Sequence, residues 1–105
     1  MSVSAKELVE AAIAENQVAI FSKSYCPFCK KTKTLFAEKF PDLEPKIFEL
    51  DIIPEGADIQ AYLLEKTKQR TVPNVFVEKE HIGGNDDTQA AFRDGKLTKL
   101  LALTA

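Results

Sequence analysis

Val18-Ala19-Ile20-Phe21 runs through Ser22-Lys23-Ser24-Tyr25 into Cys26-Pro27-Phe28-Cys29, and this stretch decides the fold. The first four residues are a short apolar run of β-type, which predicts a strand buried on both faces. Pro27 suits the first position of a helix and no interior one. Leu35 and Phe36, with the aliphatic parts of Lys31 and Thr32, continue an amphipathic pattern to about Phe40. A buried strand therefore delivers the chain to a helix whose opening holds both cysteines.

On the N-terminal side, Ser4-Ala5-Lys6-Glu7 has the spacing of a capping box, and Leu8, Val9, Ala12 and Ile13 share one face of a helix ending near Asn16. On the C-terminal side, Pro41 and Pro45 bracket a break before Lys46-Ile47-Phe48-Glu49-Leu50-Asp51, which alternates as a second strand. Pro54-Glu55-Gly56 reads as a turn, followed by a helix from Ala57 to about Lys68 on Ile59, Tyr62, Leu63 and Leu64. Asn74 to Glu78 is a third strand, turned by Lys79-Glu80 into His81-Ile82, a fourth and antiparallel one. Gly83-Gly84 marks a special backbone site. Asn85-Asp86-Asp87-Thr88 offers N-caps to a helix through Phe92 that Gly95 stops, and Leu97, Leu100, Leu101 and Leu103 pattern a last helix. Helices between the first three strands imply parallel crossovers, and the closing hairpin adds an antiparallel edge. The expectation is a single α/β domain over residues 1–105, a mixed four-stranded sheet flanked by about five helices.

The 105 residues, 45% of them hydrophobic, suffice for one core. Acids and bases nearly balance at a net charge of -2, so the overall charge suggests no nucleic-acid or membrane partner. No apolar run approaches the roughly 18 residues of a spanning helix, and Met1 to Asn16 lacks the basic-then-apolar layout of a signal peptide. We expect a cytoplasmic monomer. In a reducing compartment, a lone Cys-x-x-Cys pair points to redox or metal chemistry before a structural disulfide.

Spacing alone leaves Cys26 and Cys29 open to three readings: redox pair, metal ligands, or two inert buried thiols. Zinc needs four ligands, and His81, in a predicted strand, is the only other soft donor, so no metal is expected. A cysteine at a helix N-terminus sits near unpaired N–H groups and the positive end of the dipole, which favour thiolate. Cys26 has that position, and no acid falls between Lys23 and Lys33 in a segment that also holds Lys30 and Lys31. Such settings bring a thiol pKa from about 8.5 to between roughly 3.5 and 7.5. Cys29 lies one turn further in, closer to the core. The pair thus divides into an attacking Cys26 and a resolving Cys29, and His81 is assigned no role.

Cys26-Pro27-Phe28-Cys29 after a strand, Thr71-Val72-Pro73 before another, and Gly83-Gly84 followed by Asp86-Asp87 together resemble the dithiol glutaredoxins. The resemblance covers nearly the whole chain. It implies a thioredoxin-like fold, glutathione as cosubstrate, and reduction of protein disulfides and protein–glutathione mixed disulfides, so that the partners are glutathione and glutathionylated or disulfide-containing proteins. Thioredoxin itself fits less well, since the chain has no Trp to precede its first cysteine and Pro-Phe between the two. Phe28 stands where the commonest family motif has Tyr, and Asn85 where many relatives carry Cys or Ser.

Glutathione carries two carboxylates and one ammonium group, and the resemblance implies where each is met. Lys23 would hold the glycine carboxylate, with Gln60 beside it. A cis Pro73 would turn the Val72 backbone toward the cysteinyl segment, flanked by Thr71. The Gly84-to-Asp87 helix start suits an anion, so the N–H groups of Asp86 and Asp87 would receive the γ-glutamyl carboxylate and the Asp87 side chain the ammonium. Capping by the aspartates is compatible with this. Tyr25 and Phe28 would line the groove. An alternative drawn from the same family is an iron-sulfur carrier, a dimer bridged by a cluster on Cys26 and glutathione. Pro27 weighs against it, because cluster-binding members usually have a small residue there.

Overall fold

The computed structural model describes residues 3–102. It contains α1 (Ala5–Glu15), β1 (Val18–Ser22), α2 (Pro27–Lys39), β2 (Lys46–Glu49), α3 (Gly56–Thr67), β3 (Asn74–Val77), β4 (Glu80–Gly83), α4 (Asn85–Arg93) and α5 (Lys96–Ala102). Leu103, expected to extend the last helix, lies outside the described residues. Ser4 caps α1 as its spacing predicts, its hydroxyl accepting the Glu7 N–H at 3.1 Å. Among the described residues no helix is long and apolar enough to cross a membrane.

The four strands form one mixed sheet in the order β2-β1-β3-β4. Alternation along β1 builds two cores at once. Ala19 and Phe21 face α1 and α3 together with Phe76, while Val18 and Ile20 face α2, α4 and α5 with Val75 and Val77. Every residue of β1 is buried, as a strand covered on both faces must be. Phe21 stacks on Phe48 at 5.4 Å and meets Phe76 edge-on at 6.0 Å, contacts worth roughly 0.5–1.5 kcal/mol each beyond area burial.

β1 and β2 are parallel, but β3 runs antiparallel to β1, which corrects the expected second parallel crossover. A helix between two strands implies a parallel pair only if it returns the chain to the end where the first strand began. Here residues 68–73, with Lys68 in the left-handed region and a cis Val72–Pro73 bond, bring the chain to the end where β1 finishes. Phe21 there pairs with Asn74, and β3 starts where β1 stops.

Two further boundaries differ from expectation. The hairpin turns on Glu78-Lys79, both at positive φ, with Val77 opposite Glu80, one residue earlier than expected. Gly56 belongs to α3 rather than to the preceding turn. A Cβ there would stand 1.7 Å from the Leu50 carbonyl oxygen, so the helix start can approach the end of β2 only without a side chain.

Candidate active site

Cys26 is the N-cap of α2, with an extended backbone that lets its side chain turn back over the helix start. Its Sγ accepts the Cys29 N–H at 3.4 Å, one of the donors that a helix N-terminus leaves unpaired. On the other side, the Sγ lies 3.8 Å from the Val72 carbonyl oxygen, a contact available to the protonated thiol. Burial opposes ionisation of Cys26 and is the largest single influence. The Cys29 N–H, the Cys29 thiol, the Phe28 N–H and the Lys33 charge together outweigh it, so the pKa falls below the ordinary thiol value. Cys29 is wholly buried, and burial first, then the neighbouring Cys26, pushes its pKa up despite help from the Lys23 backbone and the Ser22 hydroxyl. Both cysteines are free thiols. The expected inequality of the pair thus has a geometric cause in one helical turn.

The loop before Cys26 is held from the turn that follows β2. Asp51 accepts both the Ser24 hydroxyl and, at 2.9 Å, the Ser24 N–H, and these bonds hold its carboxyl below the usual carboxylate range. The Cys26 N–H closes the loop on the Lys23 carbonyl at 3.1 Å. Opposite this loop, Gln69 Nε2 donates to the carbonyls of Thr71 and Pro73, both at 2.9 Å, and braces the entry to β3. Asp51 carries no local sequence signal, because only the fold brings Ser24 close to it, and Gln69 carries none because its partners, though near in sequence, are backbone carbonyls.

Between the brace and α4 lies a cleft of about 320 Å³. Phe28, Thr71, Val72 and Pro73 form one side of it, and Gly84, Asp86 and Asp87 the other, with Asn85 as an unpredicted member. The N-cap of α4 is Gly84 rather than an Asn or Asp. The helix ladder begins with Thr88 N–H on Gly84 O, which leaves the N–H groups of Asn85, Asp86 and Asp87 without an intrahelical partner. Asp87 reaches back to accept the Gly84 N–H at 3.0 Å, and Gly83, at φ 122°, leaves the room for it that a Cβ would take. Asn85 turns inward and accepts the Thr32 hydroxyl at 2.9 Å, tying α4 to α2.

Besides the two cysteines, three predicted residues lie outside the lining of this cleft. Lys23 is half-buried at the exit of β1 and makes no ion pair among the described residues. Tyr25 is 71% exposed beside Cys26. Gln60 donates to the Arg70 carbonyl at 3.1 Å, next to the braced loop. Phe28 is more than half exposed, with Lys31 Nζ 5.5 Å from its ring. A larger groove of about 710 Å³ runs between α2 and α4; neither cysteine lines either depression, but the smaller cleft includes Val72, whose carbonyl lies 3.8 Å from the Cys26 sulfur, and that contact places the chemistry there. His81 sits on β4 with Nε2 2.9 Å from Asn74 Oδ1 and its ring against Phe76, where burial lowers its pKa in spite of Asp87. Among the described residues no three His, Cys, Asp or Glu side chains cluster as metal ligands.

Residues 18–82 match the family model described as Glutaredoxin. The chain belongs to the glutaredoxin family. It is 50% identical to glutaredoxin-1 of Rhizophagus irregularis over 92% of this chain and 94% of that one, and 49% identical to glutaredoxin-2 of Schizosaccharomyces pombe over 97% and 91%. Among solved structures, a buckwheat glutaredoxin–glutathione complex superposes with a TM-score of 0.86 at 41% identity, covering 93% of this chain and 87% of that one. The four-stranded sheet with its five helices is the thioredoxin-like fold of glutaredoxins, and the protein is a thiol–disulfide oxidoreductase of that family. Its cysteine pair suits a dithiol member.

Proposed function

We propose that this glutaredoxin spends glutathione to reduce protein disulfides and protein–glutathione mixed disulfides, with Cys26 as nucleophile and Cys29 as resolver. The observation that carries the reading is the cleft beside Cys26. It offers the unpaired N–H groups at the start of α4 on one side and the Val72 backbone on the other, a spacing of donors and acceptors suited to a short anionic peptide. The Asp86 and Asp87 N–H groups receive the γ-glutamyl carboxylate, and Asp87 meets the ammonium. Val72 pairs with the cysteinyl backbone, flanked by Thr71 and Pro73, and its carbonyl already lies beside the Cys26 sulfur. Lys23 and Gln60 take the glycine carboxylate, while Tyr25 and Phe28 cover the ligand with exposed rings. The buckwheat relative was solved with glutathione, which supports the choice of ligand.

In the mixed-disulfide reaction, the Cys26 thiolate attacks the glutathione sulfur, and the protein thiolate leaves and takes a proton from water. A second glutathione thiolate then attacks the glutathione sulfur bound to Cys26 and releases Cys26 as thiolate, which the Cys29 N–H stabilises as leaving group. For a protein disulfide, Cys29 displaces the product from Cys26, and two glutathiones reduce the resulting Cys26–Cys29 bond. Glutathione-coupled reduction assays on wild type and two variants test this division. Cys29→Ser keeps deglutathionylation and loses protein-disulfide reduction, and Cys26→Ser loses both. Loss of deglutathionylation in a folded Cys29→Ser would refute it.

A further inference from the structure

Neither the two sulfurs nor the glutathione cleft accounts for the larger groove between α2 and α4. Its α2 side is a stripe that begins at Pro27, the residue after Cys26, and ends at Lys39. Leu35 is buried at its floor, with Lys31 one turn before it and Lys39 one turn after it on the same helix face, and Lys30 shares the face of Pro27. The α4 side is uncharged, made by Asn85 and Gln89. From Pro27 to Lys39 the helix rises about 18 Å, a length that an extended peptide of about five residues spans. Asn85 lines the smaller cleft as well, so the two depressions adjoin. A protein whose sulfur has reached Cys26 therefore finds the groove beginning one residue away from the reacting atom.

The charge of the groove is opposite to that of the chain. Lys30, Lys31 and Lys39 line it against one acid, Glu38, on a protein of net charge -2. None of these lysines is in an ion pair, since the pairs among the described residues use Lys33, Lys66 and Lys96. Lys33, on the same helix but outside the groove, is neutralised by Glu49 at 2.6 Å. Lys31 and Lys39 are instead set against rings, with Nζ 5.5 Å from the Phe28 centroid and 5.7 Å from that of Phe92. Such contacts localise an ammonium group without cancelling its charge. Asn85 adds a donor, because its Oδ1 accepts from Thr32 and Gln89 while its Nδ2 makes no hydrogen bond among the described residues. A merely solvated helix face has no need of a concave floor or of ammonium groups held over rings. We propose that the groove receives an acidic segment of the protein substrate, so that proteins with Asp or Glu within about five residues of the cysteine to be reduced are preferred. The inference rests on the proposed glutathione-dependent reduction and adds which proteins it favours.

Peptides with one glutathionylated cysteine test it. A run of glutamates lies within about five residues of the cysteine, before it or after it, and each peptide has a glutamine counterpart. The full chain reduces them with glutathione, and the ratio of kcat/KM for acidic over neutral peptide is read. An exposed ion pair is worth a factor of roughly 1.4 to 5, so two made at once favour the acidic peptide by roughly 2- to 30-fold. We expect a ratio of at least about twofold at low salt for one of the two placements, shrinking as salt screens the charges. Lys31→Glu combined with Lys39→Glu brings it to one or below. Any change in the reactivity of Cys26 itself moves both peptides alike and leaves the ratio untouched. Lys6→Glu combined with Lys99→Glu, exposed on α1 and α5, alters net charge equally away from the groove and keeps the preference. Should the Lys31 and Lys39 double variant not fold, Lys39→Gln decides, by lowering the ratio. A wild-type ratio below about twofold, a ratio that the groove variants leave in place, or one that both double variants shift equally overturns the proposal. If wild type reduces neither peptide, glutathione-dependent reduction itself fails. If it reduces both with equal kcat/KM, only the role of the groove fails.

Discussion

Gly56→Ala is expected to damage the protein by a route that begins far from the sulfur chemistry. The added Cβ would stand 1.7 Å from Leu50 O and 2.7 Å from Leu50 C, both backbone atoms. Reaching an ordinary contact of 3.4 Å requires the α3 start and the Leu50 carbonyl to separate by about 1.7 Å. Leu50 cannot yield freely, because its N–H is bonded to Ser22 O at 2.8 Å and its side chain is buried in the core. Overpacking of this kind costs about 1–3 kcal/mol, and weakening one hydrogen bond about 1 kcal/mol. The helix preference for Ala over Gly returns up to about 1 kcal/mol. The net loss is about 1–3 kcal/mol, which at an m-value of about 1.5 kcal/mol/M lowers a urea midpoint by about 0.7 to 2 M. Asp51 follows Leu50 and holds Ser24, so the same shift loosens the loop ahead of Cys26. Urea unfolding followed by circular dichroism gives the first number, and hydrogen exchange at the Ser24 amide gives the second. A midpoint within 0.3 M of wild type (about 0.5 kcal/mol), or a Ser24 amide as protected as before, refutes the reasoning.

Three other outcomes follow from single contacts. The rate of Cys26 alkylation against pH has its midpoint below the ordinary thiol value, and Lys33→Met moves it upward, because that charge favours the thiolate. By linkage, Cys26 contributes stability above its unfolded pKa that is lost as pH falls through the lower folded one, so acid weakens this contribution. Replacing Glu78-Lys79 by Asn-Gly, the pair that a turn with both central φ positive prefers, raises stability by about 1–2 kcal/mol, since a left-handed L-residue costs roughly that much; thermal unfolding that stays put or moves down argues against it. Tyr62 donates to Glu10, and that bond first, then burial, pushes its pKa up to about 12. Absorbance titration of the phenol shows a late-titrating tyrosine that Glu10→Gln returns toward the usual value, and any stability the bond gives disappears as pH climbs through the folded pKa.

What was legible in the sequence was what neighbouring residues decide. β1 announces its double burial by an unbroken apolar run, and Pro27 fixes the start of α2 by lacking an N–H, so the placement of Cys26 followed from adjacent residues. The direction of β3 did not, because it depends on where six loop residues carry the chain after α3. The hairpin turn carries Glu78 and Lys79 where left-handed geometry favours Gly or Asn, and so gave no local signal. At α4 the sequence offered Asn85, Asp86 and Asp87 as caps, yet Gly84 takes that place. Asn85 is spent instead on the buried Thr32 hydroxyl, a partner 53 residues away. Seven of the ten proposed ligand contacts line one cleft, while Lys23, Tyr25 and Gln60 lie around it. The roles of Asp51 and Glu49 gave no sequence signal because each works on a partner that only the fold supplies, and that of Gln69 gave none because its partners are the backbone carbonyls of a bend.

The means by which the two sulfurs are kept unequal bear on what the protein can do without. Cys26 is held toward thiolate chiefly by N–H groups of its own helix start, a device that no side-chain replacement in the motif removes. It therefore needs no histidine base, and the single His81 is free to pair with Asn74 at the far strand. Cys29 has the opposite problem. The burial that keeps it a thiol during the one-cysteine route also opposes its ionisation when it must attack. Ser22 and Glu49, at the last residue of the buried strand and the last residue of the edge strand beside it, tie β1 to β2 and, through Lys33, to α2. The strand that decides the fold carries two functions: it delivers Cys26 to the surface and ends on the hydroxyl that fastens the edge strand beside it.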